Sequence, residues 1–257
     1  MKPRLVLLHG WAVNSRIWNP ILDQLRARYE VTVLDLPGYS SQIDYNGDYD
    51  IDSVVKDVLS RAPQRANWAA WSLGGTVAMA AAIAQPERFQ CLQLISTTPC
   101  FLTKQDWVHG VAAEPFEKLA AGFEASYPKA LKRFLLLQTF SEDPEQKKKS
   151  LALVRELTDL LSQTNPPSRP TLQAGLELLR QTDLRQRLGE LRVKTQVVGG
   201  ETDRVVPIEA SKHLFEKLTN SHSFKSLPGG HLPFLQTSSD YIGCLEKFIP
   251  PDNVGES

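Results

Sequence analysis

Ser72 stands in the stretch Ala70-Trp71-Ser72-Leu73-Gly74, between a short apolar run and a small-residue segment of helical period. A serine at such a strand-to-helix turn can be held in a strained backbone conformation that presents its hydroxyl as a nucleophile. The residues two before and two after it must be small, because strand and helix approach closely there. Ala70 and Gly74 meet that condition, with Ala where Gly is the commoner choice. A hydroxyl attacks only when a base takes its proton, and a neutral imidazole does so when a carboxylate fixes its tautomer. The candidate base is His231, in Pro228-Gly229-Gly230-His231-Leu232-Pro233, and the candidate acid is Asp203, in Gly199-Gly200-Glu201-Thr202-Asp203. Glu201 is the local rival to Asp203, although the spacing before Val206-Pro207 favours Asp203. Plainer roles stay open for each: a helix N-cap for Ser72 and Asp203, a hydrogen-bonded structural residue for a histidine. The structural role suits His109, His213 and His222 better.

Acyl transfer through a serine builds negative charge on the carbonyl oxygen, so donors must converge where that charge develops. Leu8-His9-Gly10-Trp11 closes the first apolar run, and the backbone N–H groups of Trp11 and Leu73 are the candidate oxyanion hole. His9 reads as a residue that shapes this loop, and Asp35, in Leu34-Asp35-Leu36-Pro37-Gly38, as one that shapes the next.

Placing these residues together requires a sheet. Short β-rich runs at 5–8, 30–34, 67–70, 91–96, 194–198 and 223–227 alternate with helical patterns at 17–28, 51–61, 73–85, 207–218 and 239–248. That alternation predicts an α/β fold with a mainly parallel sheet of about six strands flanked by helices. It lapses between Pro99 and Val193, where helices are expected at 115–123, 127–139, 144–164 and 171–180, broken by prolines. The expected organisation is therefore a core of residues 1–103 and 186–257 with a helical cap, 104–185, over the carboxyl ends of the strands.

Twenty-nine basic and 29 acidic residues leave a formal charge of zero among 257 residues, so no overall field draws the chain to nucleic acid or an anionic membrane. No leader peptide and no apolar run of about 20 residues is visible. Three cysteines without CxxC spacing suggest neither a disulfide framework nor a zinc site. A cytoplasmic monomer without metal or cofactor is the expectation.

The chain resembles the α/β-hydrolase family and, more closely, the pimeloyl-[acyl-carrier protein] methyl ester esterases of biotin synthesis. The likeness lies in Leu7-Leu8-His9-Gly10-Trp11, Asp35-Leu36-Pro37-Gly38, Trp71-Ser72-Leu73-Gly74-Gly75 and Thr98-Pro99-Cys100-Phe101, and further in Arg133-Phe134-Leu135, Leu137-Gln138-Thr139 and Thr182-Asp183-Leu184-Arg185. It implies hydrolysis of a methyl ester on a pimeloyl chain held by acyl-carrier protein, with Trp11, Trp71, Leu73 and Phe134 lining an acyl pocket. It further implies that cap cations meet the acidic carrier, for which Lys129, Lys132 and Arg133 are the candidates, although charge on a helix is more often a solvated face. Two departures stand out: the chain starts almost at the His-Gly strand, and Tyr39-Ser40-Ser41 lacks the Gly and Arg-Ser of the common loop. Another hydrolase reaction on a small ester, thioester or carbon–carbon bond, or a non-catalytic binding member of the fold, remains the alternative.

Overall fold

Six short runs, most of them rich in apolar residues, become β1 (Arg4–Leu8), β2 (Glu30–Leu34), β3 (Ala66–Trp71), β4 (Phe89–Ile95), β5 (Thr195–Gly200) and β6 (Ser221–Leu227). They form one parallel sheet in the order β2-β1-β3-β4-β5-β6. The computed structural model describes residues 1–219 and 221–251, with backbone alone at Ser221 and His222, so the expected role of the His222 side chain lies outside the described residues. All six positions of β3 are buried, as are the last four of β1, which is why these strands read as near-continuous apolar runs, broken in β3 by Asn67, rather than alternating ones.

The strand order reverses direction between β1 and β3, and in an open α/β sheet ligands bind in the crevice at such a point. Leu8 lies abreast of Ala70 in that pair, so His9-Gly10 and Trp71-Ser72 leave the sheet side by side. The crevice is thus built from the two segments that the sequence marks for chemistry.

The connecting helices are α1 (Asn19–Arg28), α2 (Ile51–Arg61), α3 (Leu73–Ala84), α8 (Ile208–Lys217), α9 (Pro233–Gln236) and α10 (Ser238–Phe248). Between β4 and β5 lie α4 (Ala113–Ala125), α5 (Tyr127–Gln138), α6 (Pro144–Leu161) and α7 (Arg169–Gln181), with no strand among the described residues. The two ends of that segment meet: Leu184 N–H donates to Pro99 O at 2.8 Å, and Cys100 bridges to Asp183. Asp183 is gripped there by Lys104 and Arg185, each at 2.7 Å, and this hydrogen bonding holds its carboxyl well below the usual carboxylate range.

Proline placement moves some boundaries away from the periodic pattern. α1 starts at Asn19 because Pro20 suits a first helical turn, and Ser15–Trp18 forms a separate 3₁₀ turn capped by the Asn14 side chain. α7 starts two residues before its expected position, with Pro170 in its first turn and Ser168 accepting from Thr171 N–H. α9 is a short helix that the pattern did not separate from the loop.

Candidate active site

Ser72 sits at φ 56° and ψ −123°, a region that β-carbon sterics disfavour and that costs of order 1–3 kcal/mol. Its neighbours hold it there. Ser72 N–H donates to Ile95 O at 3.0 Å, and Ser72 O accepts from the Thr97 hydroxyl at 2.7 Å. A β-carbon at Gly74 would come within 2.4 Å of His9 O, so only glycine lets α3 start this close to the end of β1. A β-carbon at Gly10 would likewise lie 2.9 Å from that of Ser72. Although Ser72 precedes α3, its hydroxyl makes no capping bond to the helix. That separates it from an ordinary N-cap serine.

The hydroxyl donates instead to His231 Nε2 at 2.9 Å, and His231 Nδ1–H donates to Asp203 Oδ2 at 2.7 Å. The side chains of His231 and Asp203 are fully buried. The other oxygen of Asp203 accepts from Val205 N–H and Val206 N–H at 2.7 and 2.9 Å, so the carboxylate is anchored by its own loop while it faces the ring. Those bonds do not cap α8, whose N-cap is Pro207. Glu201 is exposed, and its backbone pairs with Leu227 O.

Both backbone polar groups of His231 are also occupied. Its N–H donates to Gln138 O at 2.6 Å, and its carbonyl accepts from the Trp71 indole N–H at 2.7 Å. The four polar atoms of one residue are thereby fixed from three different segments of the chain, Trp71-Ser72, Gln138 and Asp203. Sequence reasoning missed the Gln138 contact because a backbone carbonyl leaves no mark in a sequence; the available signal for Trp71 was its place beside the serine.

Leu73 is the first residue of α3, so its N–H has no carbonyl one turn back, as at every helix start. Gly10, the residue before Trp11, packs against Ser72, the residue before Leu73, so the chain enters Trp11 and Leu73 from neighbouring positions. The Trp11 indole donates to Leu172 O at 3.0 Å and packs edge-on against Phe123 and Phe134, at 4.7 and 5.6 Å between ring centres. Trp71 lies apart from that group, packed on His231 and Phe234. A cavity of about 200 Å³ between α4 and α7 shares Phe123 and Leu172 with the surroundings of Trp11, but none of Ser72, Asp203 or His231 lines it. Lys129, Lys132 and Arg133 are exposed on α5, while Phe134 on the same helix is buried.

His9 is as buried as His231 but differently engaged. Nδ1–H donates to Gly10 O at 2.7 Å, and Nε2 accepts Leu36 N–H at 3.0 Å. With its second nitrogen used as an acceptor, the ring is neutral, and its 3.6 Å approach to Asp35 is no ion pair. Burial pushes the His9 pKa below the ordinary 6.5, against the opposing pull of Asp35. Burial would raise the Asp35 carboxyl; the facing His9 and hydrogen bonds from Ser15 and Ser41 outweigh it and hold the carboxyl below its ordinary value.

Residues 3–237 match the family model for the alpha/beta hydrolase fold. The chain is 35% identical over 250 residues to the pimeloyl-[acyl-carrier protein] methyl ester esterase of Xylella fastidiosa, covering 96% of this chain and 95% of that protein. It is 36% identical over 247 residues to the protein of the same name from Methylococcus capsulatus, covering 96% and 94%. Among solved structures, an esterase from Exiguobacterium antarcticum superposes with a TM-score of 0.83 at 23% identity, over 96% of this chain and 91% of that one. A bromoperoxidase from Bacillus anthracis gives 0.85 at 20%, over 97% and 92%. At those identities the two structures speak for the fold alone.

Proposed function

We propose that this chain, which belongs to the α/β-hydrolase family, is a serine carboxylesterase that removes the methyl group from pimeloyl-[acyl-carrier protein] methyl ester in biotin synthesis. The observation that carries the chemistry is the unbroken relay from Ser72 Oγ to His231 Nε2 and from His231 Nδ1 to Asp203 Oδ2. The relatives' shared name supports the substrate.

In this reading His231 takes the Ser72 proton as Oγ attacks the ester carbonyl, while Asp203 keeps the second ring nitrogen protonated and the ring in place. The oxygen that becomes negative is held by the N–H groups of Trp11 and Leu73. His231 then returns the proton to the departing methanol. Water, deprotonated by the same imidazole, frees the acyl group from Ser72 and leaves a carboxylate. No step requires a metal or cofactor.

Trp11 and Phe134, with Phe123, offer an apolar aromatic wall suited to a methylene chain. We assign Trp71 a place beneath the imidazole, and residues 104–185 the part of a cap over the crevice. On α5, Lys129, Lys132, Arg133, Leu136 and Leu137 are all exposed at helical spacing, opposite buried Leu131, Phe134 and Leu135. A helix with a cationic outer stripe and a substrate-facing inner one suits an acidic carrier that delivers an acyl chain. The protein would act as a cytoplasmic monomer; among the described residues no helix is long and apolar enough to cross a membrane.

The test is to compare turnover of pimeloyl methyl ester on acyl-carrier protein with that of free dimethyl pimelate. A large preference in kcat/KM for the carrier-bound ester is expected, and reversing the charge of Lys129, Lys132 and Arg133 together should erode that preference and leave the free ester unaffected. Equal rates on both substrates would argue against a dedicated carrier-linked role.

A further inference from the structure

We infer that Gln236 is a positioning residue, tying the turn that carries His231 to the end of α5 and to α6 and so keeping the imidazole in line with Ser72. The inference rests on the reading of His231 as the base. It goes beyond it by naming what holds that base.

The turn before His231 is two glycines, Gly229 at φ +116° and Gly230, which have no side chains of their own to anchor them. It is packed without slack. A β-carbon at Gly230 would lie 2.3 Å from Gln138 O, and one at Gly200 would lie 1.8 Å from Gly230 O. Gln236, the last residue of α9, reaches back across this turn. Gly230 N–H donates to its Oε1 at 2.8 Å, and its Nε2 donates to Thr139 O at 3.3 Å and to the Ser150 hydroxyl at 3.4 Å. Chemistry fixes which end of the amide is which: a backbone N–H can only donate, and a carbonyl can only accept. One planar group therefore bridges three segments, using both the acceptor and the donor that an amide carries.

The same stretch of chain also meets the acid's loop. Thr202 Oγ1 donates to Phe140 O at 3.3 Å, and the Arg204 guanidinium lies over the Phe140 ring. Residues 138–140 are thus a common abutment for the loops bearing His231 and Asp203. Since α5 also carries Phe134, a rearrangement of that helix reaches the imidazole through Gln236.

The experiment compares full-length wild type, Gln236→Leu and Gln236→Glu with p-nitrophenyl butyrate as substrate. In parallel it follows the downfield proton resonance of His231 Nδ1–H. Leu removes both ends of the bridge; Glu keeps the acceptor for Gly230 N–H and loses the donor to Thr139 and Ser150. We expect Leu to lower kcat by about tenfold or more with KM within about twofold, as for a misplaced base. Its Nδ1–H resonance should broaden or vanish, and Glu should fall between Leu and wild type in both readouts. An unchanged kcat and resonance in Leu would overturn the inference. So would losses in Leu that raise KM in step with a lower melting temperature, because a merely structural residue behaves that way. Should Leu fail to fold, a Glu variant equal to wild type in kcat and resonance overturns it too. If wild type cleaves no ester, the proposed function fails while the resonance still decides this point.

Discussion

His9 and His231 are both wholly buried, each follows a strand of the same sheet, and each has an aspartate close by. Their second ring nitrogens differ. Nε2 of His9 is spent accepting a backbone N–H from Leu36, whereas Nε2 of His231 faces the Ser72 hydroxyl. The aspartates differ in the same way: Asp35 turns its oxygens to Ser15 and Ser41, and Asp203 gives one oxygen to its own loop and the other to the imidazole. A base is therefore made by what its free nitrogen meets. Burial and a neighbouring carboxylate do not suffice.

The sharpest way to break this contrast is to remove each ring in turn. His231→Gln should lower kcat on any good ester by about 10⁴-fold or more, since base and serine act as a unit. His9→Asn should keep turnover near the wild-type level and instead lose stability, about 1–3 kcal/mol for buried partners left imperfectly paired. Steady-state kinetics and urea unfolding of both variants check it, and a His9 variant as inactive as its counterpart would erase the distinction.

A smaller effect should follow from loosening His231 without removing it. Trp71→Phe keeps the ring on Phe234 but deletes the donor to His231 O, so kcat should fall by about tenfold. KM should barely move if Trp71 supports the imidazole, and should rise if it lines the acyl pocket. Kinetics on a short ester separates the two.

Smallest is a pH effect on stability. The folded pKa of His9 lies below 6.5, so on acidification past that value the unfolded chain takes up a proton that the folded chain refuses. Stability from this source is complete above pH 6.5 and lost as pH falls toward the folded pKa. His213, also lowered by burial and by the facing His109, acts in the same sense but is largely solvated. Unfolding midpoints measured across acidic pH should therefore fall less steeply in His9→Asn than in wild type. Equal slopes would mean that His9 is not held neutral.

Much of this was legible in the sequence because it depends on local spacing. Ala70-Trp71-Ser72-Leu73-Gly74 requires a tight strand-to-helix turn, and Gly74 meets His9 O in the structure as that requirement demands. The central strands β1 and β3 were legible because burial on both faces leaves near-continuous apolar runs. Helix starts were less so: the helical pattern at 17–28 runs through Pro20 and Pro170 reads as a break, yet both prolines sit in a first turn, where a missing N–H costs nothing. Two of the supports of His231 and its turn, Gln138 and Gln236, were not legible at all. Gln138 contributes a carbonyl that any residue would carry, and Gln236 gains its role only when α5 and α6 come to lie over the glycine turn.

Reaction with a fluorophosphonate, followed by mass spectrometry of the peptide bearing residue 72, tests most directly whether Ser72 is an activated nucleophile. Near-stoichiometric phosphonylation of Ser72 is predicted in the folded wild type, abolished in His231→Gln and retained in His9→Asn. An adduct on another residue, or labelling of Ser72 that persists undiminished without His231, would contradict the account.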